Sequence, residues 1–279
     1  MIRVNRSHPL NRGRLSWWLG LPHLAGGTLL YDIVGNNHAT IIGAPPWTRG
    51  FSNFDAAVKL APNLVTPKYA TAACPTLSAY TLALRVTFDD LRYTPGSYVH
   101  NSLLKNWGAT LAGYFHWNML SGADGGSPGQ IRCVANATGG MADVRSIGSL
   151  SAGVPYHLAV AVGGGSIRLY TDGKPDGSGS YSGTLASGCS RFAFGCKLLD
   201  DQVTPDTGPV YEGFLAGTLG DVSLWDRALS DAEVAQLYAE SRAGYPGMLI
   251  RGRALLPNRP GRFRRLGVEG GFPADAGGF

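Results

Sequence analysis

The chain has 279 residues, 44% hydrophobic and 15% charged, which is enough apolar content for a sizeable core and too much for a disordered polypeptide. Forty glycines and 17 prolines among short apolar runs predict many strands joined by many turns. The net charge of +5 sits at the two ends, because the body, 15–247, holds 14 basic against 17 acidic residues. Nucleic acid is therefore not an expected partner of the body. No 18-residue apolar run offers a membrane helix, and no apolar stretch follows the first ten residues, so neither membrane association nor a secretion signal is expected.

In chain order, residues 1–14 read as a basic arm carrying Arg3, Arg6, Arg12 and Arg14. The domain proper, 15–247, opens on "LSWWLGL" (15–21), whose paired tryptophans suit a strand covered on both faces. In "LLYDIVGNNHATIIG" (29–43) two short strands flank a turn at Gly35-Asn36-Asn37, residue types that tolerate positive φ. Over 77–91, Leu82, Leu84, Val86 and Phe88 alternate with Thr81, Ala83, Arg85 and Thr87, the period of a strand. Further strands are predicted in 97–107, 110–120 and 130–136. "YHLAVAVGGGSIRLYTDGKPDG" (156–177) predicts a hairpin in which Leu158, Val160 and Val162 face Ile167, Leu169 and Thr171, with turns at Gly163–Ser166 and Asp172-Gly173. "SRFAFGC" (190–196) is another short strand. Cys74, Cys133, Cys189 and Cys196 form no C-x-x-C pair, so buried thiols are expected rather than zinc ligands; a Cys189–Cys196 bridge requires two adjacent strands facing one another there.

In "GDVSLWDRALSDAEVAQLY" (220–238) Val222 and Leu224 alternate with Ser223 and Trp225, as in a strand. Ser230 and Glu233 then make a capping box, Val234, Leu237 and Tyr238 share one helical stripe, and Gly244 and Pro246 end the run. One amphipathic helix of about three turns is predicted, placed to cover an end or edge of a sandwich. Residues 248–279 form a Gly/Pro-rich basic tail with Arg251, Arg253, Arg262, Arg264 and Arg265.

The stretch 217–238 resembles the closing signature of the concanavalin A-like lectin/glucanase superfamily in its laminin-G-like branch: a Gly-x-Leu/Ile-Asp-Asp-Val strand, an aromatic-x-Arg-Ala-Leu-Ser turn and a Glu-Val helix. The hairpin 156–177 resembles that family's His-x-Ala-Val and Leu-Tyr-x-Asp-Gly landmark, and the stretch 15–43 its opening Trp strand and Asp-x-x-Gly-Asn turn. The resemblance implies an all-β jelly-roll sandwich of two antiparallel sheets with one short closing helix. It also implies calcium as the cofactor to consider, held by Asp32, Asn36 and Asp221, although the family's Asp-Asp pair is Gly220-Asp221 here. The alternative is that Asp32 caps its own turn.

Glycoside hydrolysis needs two carboxylates about 5–10 Å apart. The four glutamates, Glu212, Glu233, Glu240 and Glu269, include two on the predicted helix and one in the tail, and the Asp89-Asp90 and Asp200-Asp201 neighbours would point to opposite faces of a strand. No catalytic residue is assigned. "GGSPG" (125–129) matches a nucleophile-elbow pattern by letter but lacks its strand and helix, so Ser127 reads as a loop serine. Trp107, Tyr114, His116, Trp117 and Asn118 are the candidates for glycan binding, set against the alternative that they fill the core. The whole chain is also similar in style to laminin-G-like proteins of phage and prophage. This implies a non-enzymatic virion component, assembled in the host cytoplasm, contacting other subunits through the arginines of its ends. A carbohydrate-binding lectin module is the alternative, and a glycan hydrolase the outsider.

Overall fold

The computed structural model describes residues 2–20, 27–51, 55–60, 67–91, 101–108, 110, 112–120, 127–206 and 213–251. Its strands are β1 (Ile2–Val4), β2 (Arg14–Leu19), β3 (Leu29–Asp32), β4 (Ala39–Ile42), β5 (Trp47–Arg49), β6 (Ala56–Leu60), β7 (Tyr69–Ala73), β8 (Tyr80–Phe88) and β9 (Asn101–Asn106). They continue with β10 (Phe115–Met119), β11 (Gln130–Ala137), β12 (Gly140–Ser149), β13 (Pro155–Gly163), β14 (Ser166–Thr171), β15 (Lys174–Ser180), β16 (Arg191–Phe194), β17 (Gly217–Trp225) and β18 (Leu249–Arg251), with the α-helix α1 (Asp231–Arg242) between the last two. Among the described residues no helix is long and apolar enough to cross a membrane.

All pairings are antiparallel, and the strands stack as two layers. β17 is the spine of the first: β2 and β6 pair along one side of it, β8 along the other, and β13, β14 and β15 follow outward. The second layer runs β4-β7-β16-β9-β10-β11-β12. β3 pairs with β2 and with β4, and so joins the layers. Alternation along each strand supplies the core between them. Leu82, Leu84, Val86 and Phe88 point inward from β8 and meet Phe115 and Trp117 of β10, Cys133 of β11 and Phe192 and Phe194 of β16. The predicted hairpin register holds: Leu158, Val160 and Val162 pair with Thr171, Leu169 and Ile167. Gly164 and Gly165 take φ of 60° and 78° between the strands, a left-handed pair that fits the twist of a two-residue turn.

The two tryptophans of β2 divide between two cores. Trp18 meets Phe192 and Phe194 edge-on, at 5.6 and 5.1 Å, between the layers. Trp17 faces the other way, into a second apolar cluster with Ala83, Ala161, Tyr170, Trp225, Val234 and Leu237. The helix therefore lies across the outer face of the first layer rather than at an end or edge. The small side chains of Ala83, Ala159 and Ala161 leave that face shallow enough for Val234 and Leu237 to reach it. Its capping box is present: Ser230 Oγ accepts from Glu233 N, and Glu233 reaches back to Ser230 N.

The stretch read as a basic arm is part of the fold. β1 pairs with β18, Asn5 N donates to Met248 O (2.9 Å), and Leu10 is buried in the helix-side cluster, its carbonyl accepting from Trp225 Nε1 (2.7 Å). Most of the basic tail, 252–279, lies outside the described residues. The four cysteines are free thiols, so the Cys189–Cys196 bridge is not formed.

The outermost strands of the two layers, β12 and β15, close on one another. A Cβ on Gly177 would stand 2.3 Å from Arg145 O, and one on Gly179 would stand 2.6 Å from a Val144 methyl, so β15 approaches β12 only because it carries glycine there. Gly148 N donates to Asp176 across this seam (2.8 Å).

Removing the cap hydroxyl strands the Glu233 N–H at the helix start. Ser230→Ala is expected to lower stability by about 1 kcal/mol, read as a reduced urea midpoint at unchanged slope.

Candidate functional site

Two surfaces carry polar chemistry, one on the outer face of each layer. On the first layer the register sets His157 beside Arg85. Opposite Arg85, β17 bulges: Leu219 pairs with Val86 and Val222 with Leu84, so Gly220 and Asp221 together face one residue. The bulge aims the Asp221 carboxylate at Arg85 Nε, while Asp55 takes Arg85 Nη2. Asp221 also accepts from Trp17 Nε1 (3.1 Å) and Tyr245 Oη (2.5 Å). Burial opposes its charge, but Arg85, Tyr245 and Trp17 outweigh that and hold its carboxyl below the usual range.

This arrangement does not fit the calcium expected at Asp32, Asn36 and Asp221. Calcium wants six to eight free oxygens. Asp32 spends both of its own on backbone N–H groups, Oδ1 on Trp17 and Val34 and Oδ2 on Asn37, so it caps its turn. Asp221 faces an arginine, and Asn36 is exposed at the turn with φ 65°. The missing first aspartate has a steric reason: a Cβ on Gly220 would stand 2.6 Å from the Phe51 ring. Among the described residues no group of three or more His, Cys, Asp or Glu side chains is placed to hold a metal.

The arginines expected to anchor the protein divide. Arg6 and Arg12 are exposed. Arg14 is buried, its guanidinium stacked between the Trp17 and Trp225 rings at 4.0 and 4.3 Å, with no hydrogen-bond partner for its three nitrogens. Burial lowers its pKa to about 9. It therefore holds two indoles together and offers nothing to an outside partner. The chain traces of Arg3 and Arg251 lie in the paired end strands, and Arg253, Arg262, Arg264 and Arg265 fall outside the described residues.

The outer face of the second layer is half covered. The segment 197–206 folds over β7 and β16: Leu198 packs with Tyr69, Ala193 and Phe214, Gln202 accepts from the Ser190 and Arg191 amides, and Tyr69 Oη donates to Val203 O (3.1 Å). Beside it β9 to β12 remain, and the register places Lys105, His116, Val134 and Asp143 in one row across them. Arg132 forks onto Asp143 at 2.9 and 2.7 Å. Trp107 lies 5.9 Å from the His116 ring, both half-buried. Lys105 is fully buried at the margin of the covering segment, where Lys197 pairs with Asp206 (3.5 Å). Burial, and then Lys197 and Arg132, push its pKa well below the usual lysine range.

Of the five predicted glycan-binding residues this face brings together Trp107 and His116. Trp117 points into the inter-layer core and is fully buried, as its alternation with His116 demands. Tyr114 also joins that core and accepts from Tyr80 Oη through its carbonyl. Asn118 follows an irregularity in β10 and is fully buried, with neither amide atom hydrogen-bonded. Arg132, Asp143 and Arg145 escaped the sequence reading. Their signal was there: Ile131 and Cys133 face inward, so Arg132 must face out.

With the fold and both faces described, the class follows. The chain belongs to the concanavalin A-like lectin/glucanase superfamily, whose laminin-G-type profile matches residues 65–235. No curated relative matches the sequence. Among solved structures it is similar to the Trypanosoma rangeli sialidase in complex with sialic acid (TM-score 0.54, 18% identity, over 82% of this chain and 33% of that one). It is similar to the binding domain of botulinum neurotoxin DC in complex with SialylT (0.58, 9%, 83% and 52%) and to the binding domain of Paraclostridial mosquitocidal protein 1 (0.59, 14%, 83% and 53%). The chain thus spans about a third to a half of these proteins, and at such identities the likeness shows the fold, which enzymes and binding domains share.

Two outcomes are expected from the helix-side cluster. Asp221→Ala leaves Arg85 with one partner and should cost about 3–5 kcal/mol, with added calcium leaving the wild-type melting temperature unmoved. His157 is buried neutral, its pKa lowered to about 4 by burial and by Arg85, with Asp221 opposing. The unfolded imidazole binds its proton first, so stability should fall by a few kcal/mol as pH drops from about 6.5 towards 4. His157→Gln should flatten that slope in urea titrations at a series of pH values.

Proposed function

We propose that the protein is a glycan-binding module that engages acidic sugars on the open part of the second layer's outer face and does not hydrolyse them. The observation that carries this reading is the Trp107–His116 ring pair beside the Arg132–Asp143 fork. An indole face supplies a flat apolar platform for a sugar ring, and the arginines gathered at Asp143 supply positive charge for a carboxylate. Arg132 and Arg145 stand at Asp143, and Lys197 at Asp206. Each of those two carboxylates is held by a cation, which suits neither to act as a general acid. Two structural neighbours, the sialidase in complex with sialic acid and the neurotoxin binding domain in complex with SialylT, support the same reading.

The test is titration of the full chain with 3′-sialyllactose and with lactose. Saturable binding of the sialylated sugar alone is expected, weakening as salt rises and falling at least about tenfold in Trp107→Ala and in Arg132→Ala. Equal affinity for lactose, or binding indifferent to both variants, would remove the acidic-sugar reading; release of free sialic acid would remove the non-enzymatic one.

A second reading, attachment to a larger assembly such as a virion, draws on one observation. β1 pairs with β18, so the N-terminal basic stretch lies beside the residues that lead into the basic tail. Under that reading, deletion of 252–279 abolishes incorporation into the particle while the melting temperature of the domain stays within a degree or two. Incorporation of the shortened chain at the normal level would end it.

A further inference from the structure

A cavity of about 350 Å³ lies between the outer face of the first layer and the C-terminal half of α1, on the opposite side of the molecule from the sugar-binding face. Phe51, Tyr156 and Tyr238, each half-buried, give it ring walls. Asp172 of the β14–β15 turn and Arg242 of the last helical turn line it as well. Its size falls in the range of small-molecule sites. No side chain is shared with the sugar-binding face, so the two sites are independent.

The charges say what it would hold. The Arg242 guanidinium is exposed and, apart from its place over the Tyr238 ring at 5.8 Å, makes no hydrogen bond or ion pair among the described residues. The Asp172 carboxylate is half-exposed. Its Oδ1 accepts from the His157 amide (2.9 Å), which fixes its orientation and leaves Oδ2 without a partner among the described residues. A cation and an anion thus stand at one cavity without pairing with each other. The other charge at the cavity is already satisfied, because Arg85 is buried between Asp55 and Asp221. The fold holds the two open charges in place. Asp172 takes φ 49° in its turn, and a Cβ on the neighbouring Gly173 would stand 2.8 Å from Tyr238 Cβ, so turn and helix touch at Tyr238, one helical turn before Arg242.

A ligand that satisfies both groups carries an anion and a cation together. A carboxylate pairs with a guanidinium, and an ammonium with a carboxylate, each through charge-assisted hydrogen bonds. A ligand with one charge leaves the other protein group unmatched. The three ring walls add an apolar surface suited to an aromatic side chain, through offset or edge-on contacts. We infer that this cavity binds a free aromatic α-amino acid, its carboxylate on Arg242, its ammonium on Asp172 Oδ2 and its ring among Phe51, Tyr156 and Tyr238.

The test titrates the full chain by calorimetry at pH 7 with L-phenylalanine. N-acetyl-L-phenylalanine, which lacks the cation, 2-phenylethylamine, which lacks the anion, and glycine, which lacks the ring, are the comparisons. L-phenylalanine should bind saturably at one site per chain, and each comparison at least about tenfold more weakly. Arg242→Ala should weaken L-phenylalanine about tenfold and erase its advantage over 2-phenylethylamine. Asp172→Asn, which tolerates the positive φ and keeps an acceptor for the His157 amide, should weaken it about tenfold and erase its advantage over N-acetyl-L-phenylalanine. The inference fails if L-phenylalanine does not bind, if either single-charge compound matches it on the wild-type chain, or if both variants keep wild-type affinity. The single-charge comparison needs no substitution, so a misfolded variant cannot imitate support. Trp107→Ala should leave L-phenylalanine binding unchanged, and 3′-sialyllactose titrated into the same preparation reports on the second-layer face, so failure of one site is distinguishable from failure of the other.

Discussion

The Arg85 guanidinium, buried under the helix and gripped by Asp55 and Asp221, is the constraint around which the first layer is arranged. A cation in that position needs partners brought from elsewhere in the chain, since leaving it unpaired would cost several kcal/mol. The bulge in β17 turns Asp221 towards it, Gly220 makes way for Phe51, and Tyr245, just beyond the helix, returns to bond the same carboxylate. Trp17 does so from β2. Strand, bulge, helix exit and opening strand are thereby tied to one carboxylate, and an error in any of them strands a charge. Such a network specifies an arrangement more than it adds net stability.

The sandwich uses its two outer faces differently because they are covered differently. The first layer carries alanines where the helix crosses it, and the helix, the paired ends and the Leu10 turn seal most of that face. The second layer is covered by a loop held through backbone acceptors and a small apolar cluster, which shields β7 and β16 and leaves β10 to β12 outward. Polar side chains collect at both boundaries between covered and uncovered sheet. There a group can be fixed by its neighbours on one side and still face solvent on the other.

Much of this was legible in the sequence where periodicity was strong. The alternation of β8, the 156–177 hairpin and the Ser230–Glu233 cap were read from local pattern because local pattern determines them. The split of Trp17 and Trp18 between two cores followed from strand period alone. The location of the helix did not, since its stripe says only that it covers something apolar. The N-terminal stretch misled because arginine content was taken for solvent exposure, whereas Arg14 is stacked between indoles and the backbone of Ile2–Val4 is paired with a strand nearly 250 residues away. The candidate sites were the least legible. Trp117 and His116 are neighbours in sequence and opposites in space, and the Arg132–Asp143 fork depends on the register of the β11–β12 pair.

The glycine-lined seam between β12 and β15 has a bearing on how the molecule meets others. Sheets with bare margins invite strand-by-strand growth into fibres, and many β-proteins blunt those margins with charge or proline. Here two of the margins are turned against each other, and contact is close because Gly177 and Gly179 lack side chains. A bulky residue at Gly177 would prise them apart and uncover hydrogen-bonding backbone along two strands at once. Glycine at that position thus guards solubility as well as shape, and recognition is left to the faces of the sandwich.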